Sequence, residues 1–109
     1  MKPIGVLSDF PLNEQKIIDL EDEFVLVLRT ESGFWAIEDR CSHDDNELFG
    51  GEVIRDESNG QTRYQIKCPR HGARFDLESG QALCLPAVRA VRTYNVVVSD
   101  QNVFLQARD

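Results

Sequence analysis

An all-β protein is what the sequence predicts, on three observations. Apolar residues with β-branched neighbours recur in short segments, turn signals separate those segments, and nothing sustains the i, i+3, i+4 spacing of a long helix. The expected strands, in order, are Ile4–Leu7, Lys16–Asp19, Phe24–Arg29, Phe34–Glu38, Thr62–Lys67, Arg74–Leu77, Ala90–Val98 and Val103–Gln106. Phe24–Arg29 opens with the longest apolar run, FVLVL, and TESGF turns it into the next strand through Gly33. In that next strand, FWAIE, Trp35 reads as core packing. RDESNG, from Arg55 to Gly60, is polar and contains Asn-Gly, so a hairpin tip or surface excursion is expected there. LESGQ turns at Gly80, with Asp76 assigned to that turn and not to catalysis. Tyr94, in VRTYNVVV, is assigned to the core, and SDQN from Ser99 closes the last hairpin.

With 109 residues and no repeat, low-complexity tract or linker, residues 1–109 read as one domain with room for one site. A hydrophobic fraction of 41% beside 28% charged residues fits a soluble globular chain and not a disordered one. The net charge of −7 and pI near 4.7 argue against nucleic acid and favour basic partners. No apolar run is long enough for a bilayer, and MKPIGVLSDF lacks a signal-peptide pattern, so no membrane association and a cytoplasmic location are expected. Three cysteines, an odd number, favour a metal or redox role over a disulfide framework. Cys84, in ALCLP, has no histidine near it and reads as a small buried hydrophobe.

Only the middle of the chain breaks the β rhythm. Asp39–Gly51 and Cys68–Ala73 are polar, glycine-containing segments, each placed just after an expected strand. Both histidines of the chain fall here, each beside a cysteine: C-x-H at Cys41 and His43, then 24 residues, then C-x-x-H at Cys68 and His71. A Cys2His2 zinc site is one reading, but zinc fingers pair Cys with Cys and His with His across a helix. A two-iron cluster accounts for the mixing, because each loop then supplies one ligand to each of two unlike irons.

On CSH at Cys41–His43 and CPRHGARFD at Cys68–Asp76, set among strands, the chain resembles the Rieske [2Fe–2S] ferredoxins of the low-potential, oxygenase type. SGQALCLPA is similar to the family's glycine-to-proline run, which implies that Pro86 packs near the cluster. The resemblance implies an antiparallel β-sandwich with two cluster-binding loops at one end, the cluster-binding part covering about residues 39–86, and one [2Fe–2S] cluster per chain. It makes Cys41 and Cys68 ligands of the inner iron and His43 and His71 ligands of the outer, more exposed iron. Neutral imidazoles in place of two anionic thiolates make added electron density less costly and raise the potential.

Departures from the family pattern matter as well. Respiratory relatives carry an extra cysteine in each loop, forming a disulfide, where this chain has Asn46 and Arg70. They also place a serine and a tyrosine after the second histidine as donors to sulfur, where this chain has Ala73 and Phe75. Fewer donors stabilise the reduced charge less, so the potential is expected near the bottom of the Rieske range, about −150 mV.

Arg40, Lys67, Arg70 and Arg74 flank the ligands in an acidic chain. Two readings stand: local tuning or docking onto an acidic patch of a redox partner, or a solvated rim of ordinary charges. Asp44, Asp45 and Glu47 oppose that positive field from the other loop.

The function implied is a monomeric one-electron carrier from a ferredoxin reductase to a terminal non-haem iron oxygenase. Both histidines are committed to the cluster, leaving none for a mononuclear iron site, so oxygenation by the chain alone is not expected. The long spacer around Arg55–Gly60 keeps two alternatives open within the fold, a nitrite reductase small subunit or a partner in iron–sulfur assembly. A structural zinc module is the alternative of a different class.

Overall fold

The computed structural model describes residues 1–21, 23–40, 47–57, 60–70, 72–84 and 89–108. Among these, the strands are β1 (Lys2–Val6), β2 (Gln15–Asp19), β3 (Phe24–Thr30), β4 (Gly33–Glu38), β5 (Glu52–Asp56), β6 (Arg63–Lys67), β7 (Arg74–Asp76), β8 (Thr93–Ser99) and β9 (Asn102–Ala107). A 3-10 turn, Leu7–Asp9, follows β1. No described helix is long and apolar enough to cross a membrane. All pairings are antiparallel, in a six-stranded sheet of order β1-β9-β8-β4-β3-β2 and a three-stranded sheet of order β5-β6-β7.

β3 explains why two layers form. Its run Val25–Leu28 is buried throughout, and the two-residue period of a strand sends alternate side chains to opposite faces. Leu26 and Leu28 pack with Ile66, Phe75 and Leu77 in the core beneath the small sheet. Val25 and Val27 pack with Phe10, Ala36, Val103 and Leu105 in a second core on the other face. A strand covered on both faces has no place for polar residues, which is why FVLVL reads as one continuous apolar run.

The hairpins follow the turn chemistry. Thr30 stands opposite Gly33 across the β3–β4 turn, and the Thr30 hydroxyl accepts from the Ser32 amide and from the Trp35 indole, each at 3.2 Å. Ser99 pairs with Asn102 across β8–β9, with Asp100 and Gln101 both at positive φ (50° and 72°), as a two-residue hairpin turn requires. Tyr94 is buried and its hydroxyl donates to Glu23.

Three expectations need correction. No strand is expected at β5, because Glu52–Asp56 carries only Val53 and Ile54 as apolar residues, both half-buried; pairing with β6 makes it a strand. The excursion expected at Arg55–Gly60 is therefore shorter, since Arg55 and Asp56 are paired with Tyr64 and Arg63. The strand expected from Ala90 begins at Thr93. Trp35 is half-buried at the edge of the core, its ring centroid 5.8 Å from that of Tyr64.

Asp76 organises the turn to Gly80 as expected. Its carboxylate accepts from the Ser79 amide (3.1 Å) and hydroxyl (2.7 Å) and from Arg63 (2.7 Å), while its carbonyl accepts from the Gly80 amide. Gly80 has φ +76°, and a Cβ there would lie 2.0 Å from the Val91 carbonyl oxygen. Burial pushes the Asp76 carboxyl up, but the bonds from Arg63 and Ser79 and the charge of Arg63 outweigh it and hold it below the ordinary 3.8. A depressed carboxyl stabilises the fold above its unfolded pKa, and that contribution is lost as the pH falls through the folded one. Replacing Asp76 by Ala is expected to cost about 2 kcal/mol near neutral pH in urea unfolding. The deficit relative to wild type should shrink below about pH 4.

Candidate metal centre

Two loops meet at one end of the small sheet. The first leaves β4 at Asp39 and returns to β5 at Gly51. Its base is tied by one carboxylate: Asp39 Oδ1 accepts from the amides of Leu48 (2.9 Å) and Phe49 (2.8 Å), and the Asp39 amide donates to the Phe24 carbonyl (2.9 Å). Burial raises the Asp39 carboxyl, the two amide bonds oppose the rise, and the nearby charge of Glu47 adds to it; the net direction is up. Gln15, on β2, holds the exit, its side chain donating to the Gly51 carbonyl (2.9 Å) and accepting from the Gly50 amide (2.7 Å).

The second loop runs from β6 to β7. The Cys68 amide donates to the Ala73 carbonyl (2.7 Å), and the Gly72 amide donates to the Cys68 carbonyl (3.1 Å), so the loop closes on itself. Cys68 is only 1% exposed and packs in one cluster with Leu48, Ala73 and Phe75. Leu48 in that cluster brings the first loop against the second. Gly51 makes the approach possible: a Cβ there would lie 2.1 Å from the Lys67 carbonyl oxygen. Gly50–Glu52 and Lys67–Arg70 with Gly72 line an open cleft of about 440 Å³ between the loops.

A third segment braces the second loop. Asp76 donates its amide to Gln81, Phe75 bridges Ala82, and Leu83 donates to Arg74, so residues 81–83 run along β7. Cys84 ends up with its thiol 3.5 Å from the Gly72 carbonyl oxygen. It is half-exposed and not a buried hydrophobe, because the segment lies along the outer edge of β7.

Of the expected ligands, the structure places Cys68; Cys41, His43 and His71 lie outside the described residues, as do Asp44, Asp45, Asn46 and Pro86. Cys68 fits a metal ligand. It is buried and lines the cleft between the two loops, where a ligand shared by both would have to sit, and a bound metal takes a cysteine as thiolate. The remaining donors belong to the same two loop segments in sequence. Ala73 and Phe75 are fully buried and have no hydroxyl to donate. Asp39, Gln15 and Gly51 are the supporting residues that sequence reasoning missed. Only the position of Asp39 at the head of a ligand-bearing loop signalled a role, since the partners of Gln15 and Gly51 are distant in sequence.

Arg40, Lys67, Arg70 and Arg74 are all exposed, and Arg40 is in addition paired with Glu38 at 3.3 Å. The four flanking cations thus do not act alike.

Two antiparallel sheets with two loops that meet beside a buried cysteine define a small all-β protein with a candidate loop-held metal centre. The Rieske [2Fe-2S] domain model matches residues 1–95, and the chain belongs to that family. Membership implies one [2Fe–2S] cluster per chain. The chain is similar to a 3-phenylpropionate/cinnamic acid dioxygenase ferredoxin subunit from Escherichia coli (strain K12), with 36% identity over 100 residues, 91% of this chain and 86% of the relative. Among solved structures it is similar to the ferredoxin of carbazole 1,9a-dioxygenase from Nocardioides aromaticivorans IC177, with a TM-score of 0.81, 30% identity, and 99% and 100% of the two chains covered. A putative NADH-dependent nitrite reductase small subunit from Mycobacterium tuberculosis shares the fold, with a TM-score of 0.78 at 20% identity, covering 99% of this chain and 94% of that one.

The Asp39 clamp yields a test. Asp39→Ala removes the acceptor for two loop amides and is expected to lower stability by about 1–2 kcal/mol and to speed bleaching of the visible absorbance by a chelator. Asp39→Asn keeps an acceptor oxygen and should fall between Ala and wild type.

Proposed function

We propose that residues 1–109 act as one unit, the ferredoxin component of a dioxygenase system, carrying single electrons from a reductase to a terminal non-haem iron oxygenase. The observation that carries this reading is the buried Cys68 in a self-closed loop, set against a second loop with the matching donors in sequence. In this reading Cys41 and Cys68 hold the inner iron and His43 and His71 the outer one. The cluster, when bound, supplies a one-electron store whose potential is set by its ligands and their surroundings.

The chain's own residues do the rest. Asp39 and Gln15 fix the two ends of the first loop, and the Cys68–Ala73 bond fixes the second, so little rearrangement accompanies a change of charge. Leu48, Ala73 and Phe75 belong to the buried apolar cluster that holds Cys68. With both histidines held as ligands, the chain does not oxygenate a substrate alone, and it works as a cytoplasmic monomer.

The names of the relatives at 30 and 36% identity support the oxygenase system. The nitrite reductase alternative rests on fold alone. Part of the spacer that kept it open, Arg55 and Asp56, is taken up by the antiparallel pairing of β5 with β6.

Two measurements test the reading. The protein reduced anaerobically with dithionite should give a rhombic EPR signal with about two irons per chain, as a [2Fe–2S] cluster requires. Colourless protein with one zinc and no signal would replace the electron carrier by a structural zinc module. His71→Cys should lower the potential or lose the cluster, while Cys84→Ser should keep it. The potential itself, read by spectroelectrochemistry, is expected near −150 mV, and a value above about +100 mV would refute the argument from Ala73 and Phe75.

A further inference from the structure

Lys67, Arg70 and Arg74 form a cationic ridge along the second loop and the two strand ends that flank it. All three are exposed, and none makes an ion pair with a described residue. Lys67 stands directly opposite Arg74 in the β6–β7 register. Like charges at opposed positions of neighbouring strands destabilise a sheet, so this pairing works against the fold. Glu52 faces Lys67 from the other side, in β5, which leaves Arg70 and Arg74 uncompensated. No Asp or Glu occurs from residue 58 through residue 75, although the chain has 19 acidic residues to 12 basic ones.

The ridge has an apolar neighbour. Arg70 lines a cleft of about 350 Å³ with Pro69, Phe49 and Glu47, and Phe49 is 44% exposed. Aromatic rings, phenylalanine among them, and arginine are both enriched at protein interfaces. Glu47 opposes the positive field from inside the same cleft; Asp44 and Asp45 of the first loop lie outside the described residues.

We propose that the Lys67–Arg70–Arg74 ridge docks the acidic face of a partner redox protein, steering electron exchange through a local positive field opposed to the net charge of −7. The proposal rests on the electron-carrier reading and adds the chemistry of the partner's docking face. Charges around the point of approach control encounter rates more than the distant remainder does once salt shortens the reach of the field.

The test uses the intact reduced protein and two small oxidants as probes: the ferricyanide anion and the tris(phenanthroline)cobalt(III) cation. One electron leaves the protein in each reaction, giving ferrocyanide or cobalt(II). Stopped-flow rates are followed as ionic strength rises from about 0.01 M to about 0.2 M, which shortens the screening length from about 30 Å to below about 10 Å. The local field predicts that salt slows ferricyanide by about threefold and accelerates the cobalt complex. If net charge governs, ferricyanide accelerates with salt; that result, or no salt dependence, overturns the proposal.

The variant K67E/R70E/R74E should invert the sign of the ferricyanide slope. If that variant does not assemble its cluster, R70E alone serves, since Arg70 is exposed on the loop, and it should weaken the slope; an unchanged slope overturns the proposal. A protein that shows no bleaching with dithionite fails as an electron carrier before salt is varied, so the two failures are distinct.

Discussion

The backbone approach at Gly51 is the constraint on which the candidate centre depends. With only 2.1 Å between the position of a Cβ and the Lys67 carbonyl oxygen, no side chain fits there without moving the end of β6. That contact, with Leu48 packed beside Cys68, sets the exit of the first loop against the start of the second. Asp39 and Gln15 hold the same loop from the large sheet, so the distance between the loops is fixed by both layers.

β3 transmits that constraint. Because Leu26 and Leu28 pack against the strands that carry the second loop while Val25 and Val27 pack the opposite core, displacing the small sheet disturbs both. Phe24 accepts the amide of Asp39, so β3 also anchors the residue that closes the first loop. A rigid support of this kind suits a centre whose charge changes by one unit, since reorganisation around it is kept small.

Charge is distributed differently from packing. Carboxylates dominate the chain, and the buried one that matters for the fold, Asp76, is matched by Arg63 and Ser79. At the second loop the balance reverses: Lys67 stands between Glu52 on β5 and Arg74 on β7, and Arg74 faces a like charge. A like-charge pair across neighbouring strands does not stabilise the sheet, and the proposed docking of an acidic surface would account for it.

By itself the sequence determined the strand rhythm, the turns at Gly33, Gly80 and Ser99–Asn102, and the two thiol–imidazole pairs with the family they resemble, because these depend on neighbours along the chain. β5 was illegible, since Val53 and Ile54 are too few to mark a strand until β6 supplies their hydrogen-bonding partners. The exposure of Cys84 was equally hidden, because it depends on a segment laid along the edge of β7. Only the tertiary structure decided that Gln15 holds Gly50 and Gly51, and that Gly51 meets Lys67. Those partners are 16 or more residues apart, from Gly51 to Lys67, and local pattern carries no record of a backbone approach across such a distance.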